Sequence, residues 1–166
     1  MKIGFLLSPQ TAVSGMSNGI LKQAYLWAEG LRSLGQEVDF LGVQPDGTMP
    51  RMRDYDLVHF FQNGFWLRGF QGGPEGGQKW VFSPILDSTS SPLLYGALAL
   101  LPLEQRLLSF GPSLLRSFCM LTTVSVRSSH ERGYIERIAP KARVVDNPIA
   151  VPLVEGPEHK PRGLLP

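Results

Sequence analysis

Few residues in this chain have the types and spacing that chemistry needs. The best-placed group is Ser14-Gly15-Met16-Ser17-Asn18-Gly19, a small-residue loop leading straight into a predicted helix. Free backbone amides at a helix start, with the helix dipole behind them, favour a phosphate or another anion. Glycine lets such a ligand approach the main chain closely. The loop is neither a G-x-G-x-x-G nor a lysine-bearing P-loop, and a flexible turn before a capped helix fits it as well. Asp87 is the one acid between Pro84 and Ser91. It suits either contact with a substrate hydroxyl or an Asx turn over Thr89–Ser91.

Other reactive side chains have plainer readings. His59 sits inside an apolar run and reads as packed, His130 falls in the first turn of a predicted helix, and His159 lies near the end of the chain. No two of them have metal-ligand spacing, so no metal site is predicted. Ser125 and Ser128 lack the G-x-S-x-G elbow of a serine nucleophile, and capping accounts for Ser128. Cys119 is the only cysteine, which excludes a disulfide within the chain and fits a small core residue.

The elements that would carry these groups alternate between strand and helix. Lys2–Leu7 is a continuous apolar strand of the kind buried on both faces. Asn18 is a plausible N-cap for a helix in which Ile20, Leu21, Ala24, Leu26, Trp27, Ala28, Leu31 and Leu34 recur at helical spacing. Gly35 is placed as the glycine that ends it. Glu37–Leu41, Leu57–Phe61, Lys79–Ser83, Met120–Val126 and Ala142–Val145 read as further strands. Gly69–Gly77 reads as a mobile glycine-rich loop. Pro92–Phe118 is helical in tendency but broken by prolines into two or three short helices. A helix from Ser128 or Ser129 to about Ile138 follows. The βαβ order predicts a Rossmann-like α/β domain: an open parallel sheet with helices on both faces.

In such a sheet, ligands bind outside the carboxyl ends of the strands. That brings Asn63 and Gly64, Ser125 and Arg127, and Asn147 into the candidate cleft, beside the loop Gly15–Gly19. With 166 residues, the chain has room for one domain, assigned to 1–150. The proline-rich stretch 151–166 reads as a linker or tail. A net charge of +2 gives no argument for nucleic acid as a partner. The N-terminus lacks a signal-peptide pattern, and no stretch reaches the ~20 apolar residues needed to cross a bilayer. A cytoplasmic protein is expected. The Leu-rich, Arg-bearing segment Leu93–Phe118 fits a helix pair covering the sheet, with peripheral membrane contact as the second reading.

Four segments together resemble the N-terminal domain of GT-B-fold glycosyltransferases, in the large retaining family of bacterial mannosyl- and glucosyltransferases. They are the opening Met1-Lys2-Ile3-Gly4-Phe5-Leu6 strand with Ser14-Gly15 and Leu34-Gly35-Gln36-Glu37-Val38, then Asp54-Tyr55-Asp56-Leu57-Val58-His59, then Leu121–Ser129, and last Val144-Val145-Asp146-Asn147-Pro148-Ile149. Their order and spacing carry the likeness across 1–150.

The resemblance implies half of a GT-B fold, with the acceptor site shaped by this half and a sugar nucleotide, a UDP- or GDP-sugar, as donor. It implies no tightly bound cofactor and no metal. It implies a sugar or glycolipid acceptor as partner, and a C-terminal donor-binding domain in cis or trans, without which the chain is expected to be inactive. The alternatives are a stand-alone non-catalytic binding module with the same fold and an independent nucleotide-binding Rossmann domain. In relatives the glycine loop approaches the donor diphosphate, which agrees with the reading of Gly15–Gly19. Two departures stand out. Many relatives carry a histidine after the fourth strand, where this chain has Ser83-Pro84-Ile85-Leu86-Asp87, and Asn147 is followed by proline rather than glycine. Asp87 is the candidate partial substitute for that histidine.

Overall fold

The computed structural model describes residues 1–8, 19–42, 51–70, 72–86, 91, 93–94, 96–97 and 110–147. Its strands are β1 (Lys2–Leu7), β2 (Glu37–Gly42), β3 (Leu57–Phe61), β4 (Lys79–Ser83), β5 (Thr123–Val126) and β6 (Arg143–Asp146). They form one six-stranded sheet in the order β2-β1-β3-β4-β5-β6, and every neighbouring pair is parallel. All carboxyl ends therefore share one edge. The helices are α1 (Gly19–Ser33), α2 (Phe110–Leu121) and α3 (Ser129–Ile138).

The central strands β1 and β3 are buried along nearly their whole length because both of their faces are covered. Ile3, Phe5 and Leu7 of β1 and Phe61 of β3 pack with Leu21, Ala24 and Ala28 of α1. Leu6, Val58, Phe60 and Phe82 point the other way, onto Leu114, Leu115 and Phe118 of α2 and Tyr134 and Ile135 of α3. Gly4 lets this second layer close. A Cβ there would lie 2.5 Å from Leu41 Cδ1 and 3.2 Å from Tyr55 Cγ.

Helix α1 stops as its sequence dictates. Gly35 takes φ 75°, its N–H donates to Arg32 O at 2.9 Å, and Gln36 N–H donates to Leu31 O at 3.0 Å. That pair of bonds satisfies the last carbonyls of the helix. At α3, Ser128 Oγ accepts from Glu131 N–H, which caps the start.

The structure corrects two boundaries. Met120 and Leu121 belong to α2 rather than to β5, and both are exposed. Thr122 Oγ1 donates to Phe118 O and closes the helix there. Within the region read as two or three short helices, the described residues include helical positions at 93–94 and 96–97 and most of a 12-residue helix, Phe110–Leu121, with Pro112 in its first turn, where a missing N–H costs nothing. The glycine-rich stretch is loop and turn over its described residues 72–77, as expected, and its flanks are ordered. Phe65–Phe70 is a 3-10 helix, and Gln78 anchors the chain after it, donating to Met52 O and Tyr55 O and accepting from Trp80 Nε1.

Candidate functional site

The sheet order reverses direction between β1 and β3. A crevice opens at the carboxyl ends of two strands placed this way, and it is the usual ligand position in open α/β sheets. At that point Ser8, just past β1, donates from Oγ to Gln62 Oε1 at 2.8 Å. Gln62 follows β3 and has φ 72°. The ties continue outward along the edge. Gln62 N–H donates to Ser83 O and Asn63 N–H to Pro84 O, both at 2.8 Å, and Asn147 N–H donates to Val126 O at 2.7 Å. Between β4 and β5 the tie is a side chain. Glu131 Oε1 accepts from Leu86 N–H at 2.8 Å and Oε2 from Arg127 N–H at 2.7 Å. The described turns after β1, β3, β4, β5 and β6 are thus linked one to the next.

Left-handed backbone concentrates on this edge. Gln62 and Ile85 (φ 50°) are the non-glycine residues with positive φ among the described residues, and they follow β3 and β4. Strained backbone of this kind gathers at sites of function.

The sequence-predicted residues fall as follows. Asn63 and Gly64 are half-buried at the carboxyl end of β3. Gly64 sits hard against its neighbour, since a Cβ there would lie 2.8 Å from Trp66 Cδ1. Arg127 is half-buried after β5, with Nε 3.6 Å from Glu131 Oε2. Ser125 and Asn147 lie beneath the surface at 5% and 6% exposure. Both polar atoms of the Asn147 side chain are buried with no hydrogen-bond partner. Gly19 opens α1. Gly15, Met16, Ser17, Asn18 and Asp87 lie outside the described residues.

Glu131 was not singled out from the sequence as a site residue. Ser128-x-x-Glu131 is a capping-box spacing, which signals a helix start. Its reach to Leu86 has no counterpart in the local sequence.

His59 is packed, as expected. It stacks on Phe61 at 4.2 Å, meets Phe5 and Trp27, and its Nε2 lies 2.9 Å from Ser83 Oγ. Burial pushes its pKa down to about 3, so the ring is neutral. Burial raises the pKa of the Cys119 thiol well above its ordinary value, which keeps it protonated. Neither group is poised for acid–base or nucleophilic work. Among the described residues no His, Cys, Asp and Glu cluster could hold a metal.

The acids of β2 are engaged elsewhere. Asp39 accepts from Tyr55 Oη at 3.0 Å and lies 3.9 Å from Lys2 Nζ, and Glu37 lies 3.6 Å from the same ammonium. Burial first, then the hydrogen bond to Asp39, raises the Tyr55 pKa to about 12. β2 ends on Leu41-Gly42, and its two acids are the ones that face Lys2. A depression of about 1290 Å³ lies at the opposite, amino-terminal end of the sheet, lined by Arg53, Tyr55, Gly73, Glu75 and Trp80 among others. Arg53 and Glu75 pair there at 3.5 Å.

No family model and no curated protein matches the sequence. A solved structure does match the fold. It is a sucrose-phosphate synthase from Thermosynechococcus elongatus, with a TM-score of 0.60 at 14% identity over 88% of this chain. The match takes in 47% of that chain, so this protein spans about half its length. The likeness is one of fold: an open parallel Rossmann-like α/β unit, as in a GT-B protein. Among the described residues no helix is long and apolar enough to cross a membrane.

Proposed function

We propose that this chain is the acceptor-side domain of a sugar-nucleotide-dependent glycosyltransferase. The observation that carries the reading is the match to about half of a sucrose-phosphate synthase, taken with the tied turns at the carboxyl edge of the sheet. A half-length unit with one crevice suits a reaction in which donor and acceptor meet between two domains. The second domain, in cis or in trans, supplies the donor site for a UDP- or GDP-sugar. On this reading a sugar or glycolipid acceptor meets Asn63, Gly64 and Arg127 at the edge, with Ser125 and Asn147 behind them. The Gly15–Gly19 loop faces the donor diphosphate, and Asp87 contacts an acceptor hydroxyl. Peripheral contact with a membrane surface belongs to the same reading.

The competing reading is a non-catalytic binding module with the same fold. The observation in its favour is the stretch Ser83-Pro84-Ile85-Leu86-Asp87, which has no histidine.

Both are tested by amide chemical shifts of the isotope-labelled chain titrated with methyl α-D-glucoside, methyl α-D-mannoside, UDP-glucose and GDP-mannose. The proposal expects a glycoside to move the amides of Asn63, Gly64, Arg127 and Asn147, while the sugar nucleotides bind weakly or not at all. Shifts confined to the amino-terminal depression would sink the site assignment.

A further inference from the structure

The turn after β4 is held more firmly than a connecting segment requires. Ile85 is β-branched and has φ 50°, a conformation that persists only where the surroundings impose it. Just before it, Pro84 O accepts from Asn63 N–H at 2.8 Å. Just after it, Leu86 N–H donates to Glu131 Oε1 at 2.8 Å. The other oxygen of Glu131 takes Arg127 N–H. Glu131 is 2% exposed and is the one buried carboxylate among the described residues. Removing a carboxylate from water is costly unless its oxygens are satisfied, and here two amides from different turns do so. A helix cap needs only partners at its own helix start. This side chain reaches a residue 45 positions away.

We propose that Glu131 is a positioning residue of the carboxyl-edge site. Its buried carboxylate fastens the turn after β4 to the turn after β5 and holds Ile85 in the left-handed conformation that aims the first turn. The functional half of this statement rests on the reading of that edge as the ligand site. The mechanical half does not. Because glycine takes left-handed φ without strain, glycine at position 85 replaces the work of the clamp.

The test is NMR on the full 166-residue chain, comparing it with Glu131→Gln, Ile85→Gly and the double variant. Gln keeps the shape of Glu but sets an amide donor against one of the two backbone donors. In Glu131→Gln, the Leu86 and Arg127 amides should exchange at least about tenfold faster, as expected for a lost charge-assisted bond. The strong intraresidue amide–Hα cross-peak that marks a left-handed Ile85 should fade, while the β3 amides keep their protection. With methyl α-D-glucoside as probe, the shifts at Asn63, Gly64 and Arg127 should shrink in Glu131→Gln and return in the double variant. Ile85 remaining left-handed in Glu131→Gln would overturn the clamp. So would a double variant as impaired as Glu131→Gln, since a loss of stability alone is not repaired by a glycine. If Glu131→Gln does not fold, recovery of folding in the double variant supports the clamp and its failure overturns it. Absence of any glycoside shift in the unaltered chain counts against the ligand reading of the edge, and the Ile85 cross-peak in Glu131→Gln still decides the clamp.

Discussion

At the scale of single residues, His59 has the clearest consequence. Its ring is neutral in the folded chain and protonates there only near pH 3, whereas an unfolded histidine does so near its ordinary 6.5. Above about pH 6.5 the group is neutral in both states and contributes no pH dependence. As pH falls below that value the unfolded chain takes up a proton and the folded chain does not. Stability therefore drops by up to about 1.4 kcal/mol per pH unit between roughly 6.5 and 3. Urea midpoints at pH 7 and pH 5 should differ clearly for the native sequence, and His59→Phe should flatten that slope. An unchanged slope would mean that the ring is not shielded. Its placement inside β3 was legible from the apolar run around it. The left-handed turn at Ile85 was not, because nothing in Ser83-Pro84-Ile85-Leu86 signals positive φ. The conformation is imposed by Asn63 and Glu131, which are distant in sequence.

At the scale of elements, the start of α3 does two jobs with two side chains. Ser128 caps the helix, and Glu131 ties it to the β4 turn. Ser128→Ala removes the cap alone and should cost about 1 kcal/mol, read as a lowered denaturation midpoint with the Leu86 amide still protected. Loss of Leu86 protection would show that the two functions are one. The element map was largely readable in advance: β1, β3 and β4 have the predicted bounds, because strands buried on both faces appear as unbroken apolar runs. The error at β5 has the same source. Met120 and Leu121 extend the apolar run of Leu-rich α2, and hydrophobicity alone does not tell a helix end from a strand start. The glycine-rich stretch was read as a loop, and its described residues 72–77 are loop and turn. The anchor at Gln78 that follows was not legible, because its partners, Met52 and Tyr55, lie more than twenty residues back.

At the scale of the molecule, the proposal expects half an enzyme. On that reading the donor site belongs to a second domain, so the 166-residue chain should show no transfer from UDP-glucose or GDP-mannose to any acceptor. Robust turnover by this chain alone, followed by product analysis, would refute that division of labour. The parallel sheet was legible from the alternation of strands and helices. The linkage of successive turns at its carboxyl edge was not, since it runs through backbone groups and one buried glutamate that the linear order keeps far apart.

The strand order has a further consequence, for synthesis. β2 joins one side of β1, and β3 then takes the other side. Each later strand, from β4 to β6, adds to the outer edge of the strand made just before it. No strand must be inserted between two already paired. Domains generally fold as the chain emerges, amino end first. This sheet can therefore grow on the ribosome in a single direction, keeping one side open for the next arrival and never reopening a finished seam.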